Sequence, residues 1–363
     1  MSSMSERIGI VTGGGDCPGL NTVIRAVAKA AAMRGWEALG ILGGYEGLLE
    51  PRQVRPLDYH ALDGLLVRGG TILGTANRGI FSSKTGHGES RQLPKELLEG
   101  VQAGMKALGL RALVSIGGDG SLTIAQQLHE HGIPVVGVPK TIDNDLAGTI
   151  MTFGFDSAVT CATDALDRLH TTAESHNRVM VLEVMGRYAG WIALYAGVAG
   201  GADVILIPEI PFVYERVCKK IQERESQGKK FTLVVVAEGA REKDADFVTN
   251  ASQEANREAR LGGIGAVVTA ELEKRTGKEA RSCVLGHLQR GGRPTTFDRA
   301  LCSMFGATAV ELIAAGDFGK MVGFIGPGVG AVQISEAVGR LKTVPPDGNL
   351  ARTARALGIS LGD

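Results

Sequence analysis

The chain has 363 residues, 44% of them hydrophobic, and its 39 basic residues are balanced by 39 acidic ones. That length and apolar content suffice for two lobes with separate cores, and the neutral balance gives no general attraction to nucleic acid or to an anionic membrane. No run approaches the roughly 18 apolar residues of a membrane-spanning helix, and the 5 cysteines are scattered without a CxxC pair, which argues against a disulfide framework or a zinc knuckle.

The start, MSSMSERIGIVTGGG, has no basic and then apolar leader, so no secretory signal is expected. Reduced thiols and a cytoplasmic location fit this pattern. Arg7–Thr12 reads as a buried strand that runs into Gly13-Gly14-Gly15-Asp16-Cys17-Pro18-Gly19-Leu20-Asn21, then a helix with Ile24, Val27 and Ala31 on one face. Strand, glycine loop and helix together suit a phosphate contact. The loop is not a dinucleotide fingerprint: Pro18 interrupts the spacing, and no acidic residue ends the next strand, Ala38–Leu42.

From 43 to 100 the pattern is looser. A second glycine-rich segment, 69–79, contains Arg78 and Gly79. Arg78 is a bidentate donor that suits phosphate, although an isolated surface arginine has the same local pattern. Lys84–Glu89 reads as a mobile polar loop.

The densest chemistry lies in 112–145. Ala112–Ile116 is an apolar strand ending in Gly117-Gly118-Asp119-Gly120-Ser121. An amphipathic segment follows to about Glu130. A second strand, Pro134–Val138, ends in Pro139-Lys140-Thr141-Ile142-Asp143-Asn144-Asp145. This is a βαβ pattern, so both loops leave a parallel sheet at its carboxyl edge, where ligands bind. Glycines around Asp119 leave amides free to face an anion. Ser121 stands near a helix N-terminus, and Asp119 suits Mg²⁺ held together with phosphate oxygens. Lys140, Thr141, Asp143 and Asp145 add a cation, a hydroxyl and two carboxylates, a mixture that suits phosphoryl transfer.

Further on, a long amphipathic helix is expected with Ala158, Cys161, Ala165 and Leu169 on one stripe. Strands are expected at Arg178–Val184, Val204–Ile207, Phe231–Val236 and Arg281–Leu285. Helices are expected at about Val213–Gln227 and at Thr296–Ala315, and a solvated helix or loop at 241–260. Arg187, Glu238, His287 and Arg290 fall at or just past strand ends. Several cations and one carboxylate there fit a sugar phosphate; each alone is as well read as a surface group. Beyond 335 the pattern weakens, with a break at Pro345-Pro346-Asp347-Gly348.

In order and spacing, GGDCPGLN at 14–21, GGDGS at 117–121, PKTIDND at 139–145, MGR at 185–187 and GHLQRGG at 286–292 resemble the bacterial-type 6-phosphofructokinase family. The resemblance runs from Arg7 to about Gly328. It implies an α/β fold of two lobes, largely parallel sheets flanked by helices, with the active site in the interlobe cleft. The implied division is a phosphoryl-donor lobe of 1–154 and 288–337, a sugar-phosphate lobe of 155–287 and a C-terminal tail of 338–363.

The resemblance also implies roles. Gly15, Arg78, Gly79, Gly118, Asp119, Gly120 and Ser121 would contact the nucleotide, with Asp119 as the Mg²⁺ ligand. Asp143 would be the base for the sugar 1-hydroxyl, alongside Lys140, Thr141 and Arg187. Thr141, Ile142, Asp143, Met185, Gly186, Arg187, Glu238, His287, Leu288, Gln289 and Arg290 would surround fructose 6-phosphate. Arg178 and Arg281 resemble arginines lent to a neighbouring subunit, which implies a homo-oligomer, a tetramer in the family. The donor signature is mixed. Glycine at 120 resembles ATP users, because it leaves room for an α-phosphate; lysine at 140 resembles pyrophosphate users. The open space at Gly120 favours ATP, with pyrophosphate as the alternative donor.

Overall fold

The computed structural model describes residues 6–76, 79–81, 84–86, 89–248 and 262–363, with 84–86 and 89–90 given by backbone alone. The apolar runs are strands and the amphipathic runs helices, as their periods require. In chain order these are β1 (Arg7–Thr12), α1 (Leu20–Ala32), β2 (Glu37–Ile41), β3 (Val54–Pro56), β4 (Lys84–Gly86), β5 (Glu89–Ser90), α2 (Lys95–Leu108), β6 (Leu110–Gly117), α3 (Asp119–Glu130) and β7 (Val135–Pro139). Next come α4 (Phe155–His176), β8 (Val179–Val184), α5 (Trp191–Ala199), β9 (Val204–Leu206), α6 (Tyr214–Ser226), β10 (Thr232–Ala237), α7 (Ile264–Thr276) and β11 (Ala280–Val284). The chain ends with α8 (Thr296–Ala315), β12 (Lys320–Phe324), β13 (Val329–Gln333), α9 (Ile334–Ala337) and α10 (Asn349–Ala356).

The chain forms two units. The first holds Met1–Ile142, Leu146–Asp156 and Arg290–Leu341; the second holds Asp143–Asp145, Ser157–Gln289 and Lys342–Asp363.

The first unit is built on a seven-stranded sheet, ordered β13-β12-β7-β6-β1-β2-β3. Its pairs are parallel except β12–β13 and β2–β3. From β1 the chain winds outward to β2, and from β6 it winds the other way to β7. Strand order therefore reverses between β1 and β6, and the loops after these two strands open side by side at the carboxyl edge. The core beneath is continuous, with Val11, Leu113, Leu122, Leu128 and Val135 buried together.

The second unit is built on a four-stranded sheet, β11-β8-β10-β9, parallel throughout. The strands β9 and β10 are buried along their length and β8 at every position but Met180, and Val181, Val234, Leu206 and Val217 share one core. By contrast, β11 is an edge strand exposed at Arg281, Ser282 and Val284.

Three regions differ from expectation. Where a loop is expected at Lys84–Glu89, β4 and β5 pair antiparallel; a pairing of two or three residues leaves no alternation to detect. In α4 the buried row is Ala158, Ala162, Leu166 and Ala173, while Cys161, Ala165 and Leu169 are only half-buried. The two rows adjoin on one broad apolar face, and both satisfy helical spacing. The last segment, from Lys342, packs into the second unit instead of trailing as a tail. Its ties are Ile205 N–H to Ser360 O and Val213 N–H to Gly362 O, each 2.9 Å. These are backbone bonds, which no side-chain pattern announces.

Candidate active site

At the strand-order reversal in the first unit lies a cleft of about 270 Å³, lined by residues 13–15, 43–46, 118–121, Ala76, Phe81, Ile124, Lys140, Thr141 and Arg290. Its floor is set by close packing. A Cβ at Gly13 would stand 2.4 Å from Ser121 Oγ, and one at Gly117 would stand 2.2 Å from Ser121 Cβ. Those two glycines let the loops of β1 and β6 close on Ser121. At Gly15 a Cβ would meet Arg290 Nη1 at 2.7 Å. Gly14 has φ +77°, a conformation that favours glycine.

Helix α3 starts at Asp119 and points its N-terminus into the cleft, with Asp119, Gly120 and Ser121 in its first turn. The exposed amides and helix dipole there favour anionic oxygens. One Asp119 carboxylate oxygen, Oδ1, accepts a bond of 3.0 Å from Gly339 N–H. Lys140 is 3% exposed. Its ammonium donates to Gly15 O and its backbone N–H to Gly117 O, so it braces the first loop against the second. Arg290 Nη1 donates to Asp16 O at 3.2 Å. Cys17, beside them in sequence, is fully buried, and burial pushes its thiol up to about 12, far from a nucleophilic range.

The loop after β7 runs on from this cleft. Thr141 O accepts from Thr152 Oγ1 at 2.7 Å. The Ile142 side chain is wholly buried, so only its backbone is placed to meet a substrate. Asp143, Asn144 and Asp145 belong to the second unit. Asn144 is buried in the left-handed conformation, φ 51°.

In the second unit, the segments after β8, β10 and β11 (three neighbouring parallel strands) share one carboxyl edge. They carry Met185-Gly186-Arg187, Glu238 and His287. Glu238 N–H donates to Val184 O at 2.9 Å and Gly239 N–H to Gly186 O at 3.1 Å, which ties the first two segments together. A Cβ at Gly239 would stand 1.9 Å from Arg187 O, so only glycine fits where the Glu238 turn crosses the Arg187 backbone. The Arg187 guanidinium lies 5.2 Å from the Tyr188 ring centroid. Gln289 is fully buried; its Oε1 accepts from Met185 N–H at 3.3 Å and its Nε2 donates to Gly286 O at 3.1 Å. Gln289 therefore holds this edge together from below, while Leu288 projects outward, 68% exposed.

Arg178 and Arg281 stand at the other end of the same sheet. Arg178 precedes β8 and Arg281 is the second residue of β11. Both pair with Glu279, Arg178 Nε at 2.7 Å, and the Arg178 bond leads the effects that hold the Glu279 carboxyl below its ordinary value. A strand of six residues separates them from Arg187 by about 20 Å.

Residues 342–344 are clipped to the second unit at four points. Lys342 Nζ donates to Asn144 Oδ1 at 2.8 Å, its backbone N–H to Asp145 O at 2.9 Å, and its carbonyl accepts from Trp191 Nε1 at 2.8 Å. Val344 N–H reaches Glu209 Oε1 at 2.7 Å, and Glu209 also accepts from Gly190 N–H. Burial raises the Glu209 carboxyl and pushes the Lys342 ammonium down from 10.5 to about 8, with Asp145 opposing the latter. Unfolded lysine keeps its ordinary value. Between those two values the unfolded chain binds the extra proton, so this residue adds stability as pH rises through that window. Relative to a Lys342→Met variant, the protein is expected to gain urea resistance from pH 8 to about 10. A difference that stays constant with pH counts against this.

The sequence-derived residues thus gather at two carboxyl edges, one per unit, with Arg178 and Arg281 at neither. Arg78 lies outside the described residues, as does 249–261 of the charged stretch, and Gly79 is described but is not among the cleft's lining residues. The lining residues missed were Gly43, Gly44, Tyr45, Glu46, Ala76, Phe81 and Ile124. Their one signal was the glycine pair directly after β2, a strand parallel to β1. Tyr45 OH lies 2.6 Å from Ser115 Oγ, which fixes the ring beside the cleft. Lys342 and Gly339 were also missed. Among the described residues no group of three His, Cys, Asp or Glu side chains is placed to hold a metal.

The phosphofructokinase family model matches residues 7–313. The ATP-dependent 6-phosphofructokinase of Chloroflexus aurantiacus is 54% identical over 363 residues, spanning 100% of this chain and 99% of that protein. The pyrophosphate–fructose 6-phosphate 1-phosphotransferase of Streptomyces coelicolor is 50% identical over 343 residues, spanning 94% of this chain and 96% of its own. Among solved structures, the phosphofructokinase of Pichia pastoris in the T-state matches with a TM-score of 0.79 and 30% identity, over 93% of this chain and 36% of that one.

Proposed function

Since the chain belongs to the phosphofructokinase family, we propose that it transfers the γ-phosphoryl group of ATP to the 1-hydroxyl of fructose 6-phosphate, giving fructose 1,6-bisphosphate and ADP. The observation that carries this reading is the cleft between the β1 and β6 loops, with the α3 N-terminus and a side-chain-free Gly120 at its wall. A polyphosphate chain finds amides and a helix dipole there, and room for its α-phosphate.

The roles follow from charge and position. The glycine loops 13–15 and 118–121 hold the donor phosphates. Asp119 would hold Mg²⁺; one carboxylate is a sufficient protein share for that ion beside a phosphate-bearing donor. When bound, the ion neutralises charge on the donor. Arg290 adds a cation at the cleft. Asp143 accepts the proton of the attacking hydroxyl, late in a loose transition state. Thr141 lines the acceptor side. Arg187, Glu238 and His287 recognise the sugar phosphate, with Met185 and Gly186 shaping the turn. Arg178 and Arg281, about a strand's length (about 20 Å) from that edge, act on the substrate of a second copy. The active form is accordingly a homo-oligomer, a tetramer by family resemblance. No helix among the described residues is long and apolar enough to cross a membrane, and a cytoplasmic location is proposed.

Lys140 and the Streptomyces relative favour a second reading, pyrophosphate as donor. The 54% relative named for ATP and the space at Gly120 outweigh them. The test is a steady-state assay with fructose 6-phosphate and Mg²⁺, comparing the two donors. Activity with ATP alone is expected. Activity with pyrophosphate alone would overturn the donor assignment and leave the acceptor site standing.

A further inference from the structure

We propose that Lys342 is a positioning residue for the catalytic turn: by holding Asn144 with its side chain and Asp145 with its backbone N–H, it fixes the direction of the Asp143 carboxylate. This rests on the reading of Asp143 as the base.

The turn Asp143-Asn144-Asp145 is an unusual piece of backbone to keep rigid. Asn144 is 3% exposed and has φ 51°. Among residues with a side chain, asparagine is one of those that take that conformation most readily, as single positions in turns. Its side-chain oxygen is buried and needs a donor. The donor is Lys342 Nζ at 2.8 Å, from a residue 198 positions away in the chain. The same lysine donates its backbone N–H to Asp145 O at 2.9 Å. Two bonds from one residue therefore grip consecutive positions of the turn, immediately after Asp143.

Lys342 is itself held. Trp191 Nε1 donates to its carbonyl at 2.8 Å, and the Trp191 ring centroid lies 5.9 Å from Nζ. Two residues on, Val344 N–H is fixed to Glu209. Lys342 is half-buried, and its ammonium gives up part of its hydration there. A lysine is nevertheless present, and its ammonium and its backbone N–H both donate to the turn. A base must meet its hydroxyl within hydrogen-bond reach, and a misplacement on the order of 1 Å costs about a hundredfold. The clamp supplies that precision.

The test is steady-state kinetics on the full-length protein with Lys342→Met and Lys342→Arg, alone and combined with Asp143→Ser. For Lys342→Met, kcat is expected to fall about ten- to hundredfold. KM for MgATP should hold, because the turn lies outside the donor-binding unit, and Lys342→Arg should recover most of kcat. In the Asp143→Ser background, Lys342→Met should cost nothing further, since the group it positions is gone. Full turnover in Lys342→Met beside an inactive Asp143→Ser overturns the proposal alone, and so does an equal fold-loss in both backgrounds, which marks a merely structural lysine. Near-normal turnover in Asp143→Ser overturns the base reading and takes the proposal with it. If Lys342→Met does not fold, Lys342→Gln carries the same comparison, with an intermediate loss expected.

Discussion

Asp143→Ser is expected to lower kcat by about a thousandfold while KM for fructose 6-phosphate changes by no more than about threefold, because a general base contributes roughly 10²–10⁴ and little to ground-state binding. The turn that carries Asp143 is held by Thr152 to Thr141 O on one side and by Lys342 to Asn144 on the other. Serine fits this backbone, so the loss reports the missing carboxylate and not a collapsed loop. Sugar-phosphate contacts are assigned to the β8, β10 and β11 loops, which are tied to one another by Glu238 N–H to Val184 O and by Gln289 to Met185 N–H. Equilibrium binding of fructose 6-phosphate, measured by calorimetry, should therefore survive. A variant that turns over near the normal rate would remove Asp143 as the base, and a parallel loss of binding would recast it as a substrate ligand.

Gly120→Asp is expected to lower kcat/KM for ATP by at least about a hundredfold without unfolding the protein. Position 120 is the second residue of α3. A carboxylate in the first turn of a helix stabilises it by about 0.3–1 kcal/mol, so the fold has no reason to fail. The donor site does. Asp119 already places one carboxylate there, and a second faces the polyphosphate at short range in a partly desolvated cleft. A hundredfold loss corresponds to about 2.7 kcal/mol, which one unscreened like-charge contact supplies. Activity with pyrophosphate should rise relative to ATP, since that donor has no α-phosphate to crowd. Unchanged ATP kinetics would mean that the nucleotide passes elsewhere, and the space at Gly120 would lose its meaning for donor choice.

Much of this was legible in the chain because it is local. Arg7–Thr12 and Thr296–Ala315 fall where their apolar periods place them, and the glycine loops after β1 and β6 mark the ends of buried parallel strands. That the loops after β6 and β7 share an edge follows from the βαβ rule. What could not be read is what depends on distant pairing. The sequence cannot say that Gly13 and Gly117 exist to admit Ser121, since the three come together only when β1 and β6 lie side by side. The β12–β13 hairpin sits in a stretch with weak alternation, because most of β13 is half-buried. Lys342 and Gly339 lie in a segment with no pattern at all; Gly339 acquires meaning from its bond to Asp119, and Lys342 from its bonds to Asn144, Asp145 and Trp191.

The seven-stranded sheet is assembled from the two ends of the chain: Val136 on β7 pairs with Lys320 on β12. The four-stranded sheet draws all its strands from one continuous stretch, Val179–Val184 to Ala280–Val284. On a ribosome, the later half of the chain therefore has a complete sheet available before the earlier half does. Until residues 320–324 emerge, β7 presents an open edge with unpaired amides and carbonyls, next to a run of buried valines, and such an edge invites pairing with other chains. Pairing across so wide a gap in the chain also raises contact order and slows closure. The hazard of misassembly falls on the half that is synthesised first, and a nascent chain stalled before Lys320 is the species that a cell's holding chaperones would meet.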